Sequence, residues 1–209
     1  MPKDDQLIEQ ERMANYGTFR IPLTIALDTS ISMLKERHLQ TASKTLKTFL
    51  EQIPFEMIDG VDITLISFND KPTVEETYSD VSSVINALEH ISINGTKTMF
   101  SDMISYSKGR VIGYKDYLNE IGLKSYDPIL FIISDLFVSD SAVSVEESLK
   151  SLEGYQTFVF TFRSDDPFQN DVRELTGKYS NGVYDVRYLS ELSLFECLSR
   201  DVRVDGGRS

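Results

Sequence analysis

Asp28-Thr29-Ser30-Ile31-Ser32 sets one carboxylate and two hydroxyls at alternate positions directly after the apolar run 21–27. Further along, Asn94-Gly95-Thr96 presents a hydroxyl just before a helical stretch, and Ser134-Asp135 follows the most apolar run in the chain, 129–133. Two carboxylates (Asp28, Asp135) and three hydroxyls (Ser30, Ser32, Thr96) are therefore offered from three loops. Such all-oxygen donors suit a hard divalent cation, magnesium first and manganese next. Alternation at the turn predicts that Asp28, Ser30 and Ser32 converge on one point while Thr29 and Ile31 turn inward. Neutral hydroxyls leave an ion electron-poor and an open position available, so the expected partner is another protein presenting an Asp or Glu to the metal.

Taken alone, D-x-S-x-S is a weak pattern, and Asp28 with Ser30 equally suits an N-cap pair opening a helix. Placement strengthens the metal reading. In an open parallel sheet, ligands gather beyond the carboxyl ends of the strands, and all three segments follow strand-like runs or precede helices in the order such a site requires.

The elements that must position them alternate in type. A helix carries Leu39, Ala42, Leu46, Phe49 and Ile53 at steps of three and four, closed by Pro54 and Gly60. The strand 61–68 leads through Asn69-Asp70-Lys71-Pro72, a turn, to an edge strand at 73–78. Asp80 is expected to cap a short helix bearing Val81, Val84, Ile85 and Leu88. A long helix with Met99, Met103, Tyr106, Val111 and Leu118 precedes the buried strand 129–133. A helix near 143–152, the strand 157–162, a mixed segment around 171–177, the strand 183–186 and a last helix from Leu189 complete the series. The prediction is an α/β fold: a doubly wound, mainly parallel sheet with one antiparallel edge strand and helices on both faces. Residues 1–17 read as a charged lead-in, 18–202 as one domain and 203–209 as a flexible tail.

The chain has 209 residues and a formal net charge of −12, a field that repels nucleic-acid phosphates. No apolar run reaches membrane-spanning length and the first twenty residues lack a signal-peptide core, so the expected location is the cytoplasm with no membrane partner. The single cysteine, Cys197, excludes an intramolecular disulfide and reads as a buried packing residue. His38 lies off the apolar stripe and reads as a solvated helix residue, His90 as a surface position. Neither pairs with Cys197 or a serine in a nucleophilic arrangement.

The stretch Leu23-Thr24-Ile25-Ala26-Leu27-Asp28-Thr29-Ser30-Ile31-Ser32-Met33 resembles the opening of a von Willebrand factor A domain and its metal-ion-dependent adhesion site. The family's Gly-Gly-Thr element appears as Asn94-Gly95-Thr96, and its strand ending in Thr-Asp-Gly as Ile132-Ile133-Ser134-Asp135-Leu136. The resemblance spans roughly 18–202. It implies a protein-binding module in which Ser30, Ser32 and Thr96 touch the ion and Asp28 and Asp135 hold it directly or through water. Asn94 and Leu136 stand where the family has glycine, so the loop after Asp135 is expected to run differently. Length, the strand 62–68 and the ending make the chain most similar to tellurium-resistance, TerY-type proteins, which implies a stress-response setting. Two alternatives compete. A magnesium-dependent phosphatase of haloacid-dehalogenase type would use Asp28 as nucleophile, but needs a second carboxylate where Ser30 stands. An accessory subunit of an ATPase or chelatase complex would use the same metal face against a motor.

Overall fold

The computed structural model describes residues 19–54, 60–162 and 167–198. The expected lead-in and tail lie outside these residues. Strand β1 (Phe19–Asp28) is central, flanked by β2 (Val61–Phe68) and β5 (Ile129–Ile133). Outside β2 lies β3 (Pro72–Ser79), and beyond β5 lie β6 (Gln156–Thr161) and β7 (Gly182–Asp185), giving the order β3-β2-β1-β5-β6-β7. A two-residue strand, β4 (Lys124–Ser125), pairs with the start of β1. Among the described residues β2 and β3 pair antiparallel and the other ladders are parallel. Pro72, which cannot donate to a ladder, opens the edge strand, the position where it costs least.

The period of two along each strand divides the core. Ile21, Leu23, Ile25 and Leu27 of β1 face one cluster with Ile129, Phe131 and Ile133, while Ala26, Leu130 and Ile132 face the other. Helices α1 (His38–Glu51) and α2 (Val81–His90) cover the first face through Leu39, Ala42, Leu46, Phe49, Val84 and Leu88. Helices α3 (Phe100–Glu120), α4 (Ala142–Lys150) and α5 (Pro167–Tyr179) cover the second through Phe100, Met103, Val145, Leu149 and Val172. The α/β, mainly parallel architecture is as the sequence predicts, and so is the capping of α2: the Asp80 carboxylate accepts from Ser83 N at 2.8 Å. At the opposite edge from the loops of interest, buried Asp62 accepts from the Arg20 guanidinium and the Tyr114 hydroxyl, pinning α3 to β1 and β2.

Three local expectations change. The chain between β1 and α1 is a 3-10 segment, Ile31–Arg37, ending in two left-handed residues, Glu36 (φ 49) and Arg37 (φ 60). Tyr106 is on the exposed side of α3, because Met103, Ser107 and Val111 occupy its sheet-facing stripe. The last helix starts later than read: a 3-10 turn, Val186–Ser190, precedes α6 (Leu194–Leu198), and the rest of the expected helix lies outside the described residues. Among the described residues no helix is long and apolar enough to cross a membrane.

Cys197 in α6 is fully buried, as expected, and burial pushes its thiol up to about 12. The neutral thiol is favoured in the folded state, so its contribution to stability is present below the free-thiol range near about 8.5 and is lost as pH rises toward 12. At pH 8 the native protein should leave a thiol reagent unconsumed and release one equivalent of reactive thiol in denaturant. Native labelling as fast as free cysteine would show that α6 does not pack as described.

Candidate functional site

The sheet order reverses between β1 and β5: the chain moves outward from β1 through β2 and β3, then returns to build β5, β6 and β7 on the other side. A crevice at such a switch point is where the carboxyl ends of two adjacent strands diverge. Asp28 ends β1 there and Ser134-Asp135 follow β5.

Asp28 has no exposed surface. Its Oδ1 accepts from Ser30 N at 2.9 Å and its Oδ2 from Ser134 Oγ at 2.6 Å. Desolvation pushes its carboxyl up to about 7; the bonds from Ser134 and Ser30 oppose the shift and the charge of Asp135 adds to it. Above it the donors form a chain. Ser30 Oγ lies 2.9 Å from Ser32 Oγ, which donates to Asp135 Oδ1 at 3.2 Å. Asp135 is held from behind by Phe137 N to Oδ1 at 3.1 Å and by Gln169 Nε2 to its carbonyl at 3.1 Å.

These separations bear on metal binding. Adjacent oxygens on an octahedral magnesium at about 2.1 Å stand about 3.0 Å apart, close to the Ser30–Ser32 and Ser32–Asp135 spacings of 2.9 and 3.2 Å. Among the described residues there is no cluster of three or more His, Cys, Asp and Glu. The donor set is therefore hydroxyl-rich and suited to a hard ion, not to a soft or histidine-bound one.

Thr96 arrives on a neighbouring loop. Gly95 forms a parallel bridge with Ser30, and Asn94 N donates to Thr29 O at 3.3 Å. The loop thus runs alongside the Asp28–Ser32 turn, but the Thr96 hydroxyl donates to Asp70 Oδ1 at 3.2 Å and does not join the Ser30–Ser32–Asp135 chain. Asp70 also accepts from Thr96 N at 3.3 Å and Lys97 N at 2.9 Å. The structure accordingly links Asp28, Ser30, Ser32 and Asp135 through hydrogen bonds and holds Thr96 beside them.

Three residues escaped the sequence reading as parts of the site. Ser134 bonds Asp28. Asp70 orients Thr96. Asn69, buried after β2, donates to Thr29 Oγ1 at 3.0 Å and to Asn94, while its carbonyl accepts from Met99 N at 2.9 Å. A Cβ at Gly95 would overlap the Asn69 side chain, so glycine is required there by close approach. Reading the residues beyond β2 by the same strand-end rule as those beyond β1 would have found Asn69 and Asp70.

Other expectations need correction. Thr29 is buried as predicted, but Ile31 is 55% exposed, because the chain leaves extended conformation after Ser30 and alternation no longer applies. His38 is not solvated. Its ring stacks on Phe162 at 3.8 Å between centroids, and it is 8% exposed. Desolvation lowers its pKa, opposed by the charges of Asp135 and Glu36. Leu136 keeps the left-handed conformation that favours glycine (φ 60), its side chain buried in the second core. The backbone preference against this costs about 1–2 kcal/mol, and burial of a leucine side chain contributes about as much in the other direction.

Comparisons with known proteins agree with this architecture. Similar solved structures include a von Willebrand factor type A protein from Catenulispora acidiphila, 14% identical with a TM-score of 0.62, covering 82% of this chain and 40% of that one. Another is proximal thread matrix protein 1 from the mussel byssus, 13% identical with a TM-score of 0.61, covering 83% of this chain and 44% of that one. The chain thus spans less than half the length of these structural relatives, and identities this low speak to fold alone. No curated protein sequence matches. The family model for the von Willebrand factor type A domain matches residues 23–195, from the first core strand to the last helix, and the chain belongs to that family.

Proposed function

We propose that the protein is a cytoplasmic, metal-dependent protein-binding module. Its magnesium or manganese ion is held by Asp28, Ser30, Ser32, Thr96 and Asp135 and takes a carboxylate from an Asp or Glu of another protein. The observation that carries this reading is the continuous Ser30–Ser32–Asp135 oxygen chain, spaced as ligands of one small ion, over a buried carboxylate. When bound, the ion supplies a positive charge that accepts an outside carboxylate. Asp28 fixes the turn through Ser30 N, Ser134 braces Asp28, and Asp70 holds the Thr96 loop against the turn. The family as a whole comprises protein-interaction or metal-dependent modules. The resemblance to tellurium-resistance, TerY-type proteins supports a stress-response setting.

Binding without catalysis is the better reading of Asp28. Both its oxygens already accept hydrogen bonds and it has no exposed surface, an arrangement that anchors a turn and does not favour nucleophilic attack. The position two residues on, where a phosphatase of the haloacid-dehalogenase type needs its acid, is Ser30.

Asp28→Asn keeps the shape and an acceptor for Ser30 N while removing the buried charge. In chelator its melting temperature should equal or exceed that of the natural chain by a few degrees, and calorimetry should detect no magnesium or manganese binding. Metal binding as tight as in the natural chain would sink the ligand assignment.

Asp135→Ala should likewise leave the fold intact, since it removes a like charge from beside Asp28, while abolishing the metal-induced rise in melting temperature. Unfolding at room temperature would instead make Asp135 a structural residue.

A further inference from the structure

Large exposed apolar side chains lie on the same two loops that carry Ser30, Ser32 and Asp135. Ile31 is 55% exposed, Leu34 60% and Phe137 51%. Ile31 sits between the two serines. Leu34 follows it by three residues in the 3-10 segment, where i and i+3 share a face. Phe137 N donates to the same Asp135 oxygen that the Ser32 hydroxyl reaches. The exposure is not for want of a core: Met33 and Leu136, the neighbours of these residues, are buried. Apolar groups exposed together beside a polar opening mark an interaction surface.

The charges at this rim depart from the rest of the chain. In a protein of net charge −12, exposed Lys35 and Arg37 lie on the segment that carries Ile31 and Leu34, and exposed Lys97 on the Thr96 loop. Exposed Glu36 lies between Lys35 and Arg37, and exposed Asp70 accepts from Lys97 N at 2.9 Å. With three cations beside Glu36 and Asp70, this surface is less acidic than the chain as a whole, and together with its apolar groups it complements an acidic residue with apolar neighbours. In an extended segment, side chains two positions apart share a face and are spaced by about 7 Å, so a central carboxylate and an apolar group on either side of it would meet one surface together.

Resting on the metal-binding reading above, we propose that the occupant is an extended segment of another protein, in which an Asp or Glu is flanked at the second position on either side by a bulky apolar residue. The ion that Ser30, Ser32 and Asp135 would hold would take the carboxylate, and the apolar residues pack on Ile31, Leu34 and Phe137.

Three acetylated, amidated pentapeptides test it by NMR titration of the full chain in magnesium: Leu-Ser-Asp-Ser-Leu, its isomer Ser-Leu-Asp-Leu-Ser, and Leu-Ser-Asn-Ser-Leu. The first should bind about tenfold tighter than its isomer, the gain expected from partly burying two leucines. The Asn peptide should not bind. The double variant Ile31→Ser with Phe137→Ser should lose the tenfold preference while its magnesium affinity, measured without peptide, is unchanged. Equal affinity of the two Asp peptides for the natural chain overturns the proposal, as does a preference that survives in the variant or a failure of both to bind at millimolar concentration. Binding of the first peptide that persists undiminished in chelator, or equal binding of the Asn peptide, overturns the metal reading itself and with it this proposal.

Discussion

A carboxylate with no exposed surface at the end of the central strand is the constraint on which the rest of this site depends. Burial moves Asp28 from an ordinary value of 3.8 to about 7 even with the bonds from Ser134 and Ser30 opposing the shift, so its charged form is costly to hold in this place. A group that expensive must be satisfied locally. Ser30 N and the Ser134 hydroxyl do so, and in doing it they tie the turn after β1 to the end of β5. Crevice and buried acid have the same origin. The switch in strand order opens a gap between β1 and β5, and the hydrogen bonds that span the gap set the hydroxyls above it in line with Asp135. A cation at that line would offset the desolvation that raises Asp28.

The second support is steric. Asn69 fills the space beneath Gly95 so closely that no side chain fits there, and it reaches Thr29 and Asn94 from one amide group. Three loops with no sequence continuity are thereby packed on a single buried residue. Fixing them in this way lowers the entropy that a ligand would otherwise have to remove on binding. Asp70, next in the chain, extends the same support outward to Thr96.

Most of the fold was legible because its signals are periodic. Leu39, Ala42, Leu46 and Phe49 lie on the buried face of α1, and Ile129–Ile133 is buried on both sides, as apolar spacing alone predicts. The edge strand was marked by the turn that ends in Pro72, and the α2 start by Asp80. What stayed hidden was set by contacts distant in sequence or by non-periodic backbone. His38 looked solvated because it lies off the helical stripe, yet Phe162, from beyond β6, covers it. Ile31 looked buried because strand alternation was carried one residue too far into a 3-10 turn. Asn69 gave no local signal beyond turn propensity; its role exists only once β2 lies beside β1. The five proposed ligand positions were visible as a pattern, but the turning of Thr96 toward Asp70 depends on a residue 26 positions away.

Backbone strain follows the same map. Among the described residues four non-glycine positions have positive φ, and three of them, Glu36, Arg37 and Leu136, border the segments that carry Ser32 and Asp135. Each left-handed residue costs about 1–2 kcal/mol, so these loops hold their shape only because buried neighbours overdetermine it: Met33 and His38 on one side, Leu136 itself on the other. The strain has a geometric consequence. The left-handed backbone at Glu36 and Arg37 lets α1 begin with His38 buried, while the preceding turn keeps Ile31 and Leu34 outward. At Leu136 the same device buries one side chain and exposes the next, Phe137. A relaxed backbone at either place would change which side chains border the opening; strain at such positions is characteristic of segments whose shape serves recognition.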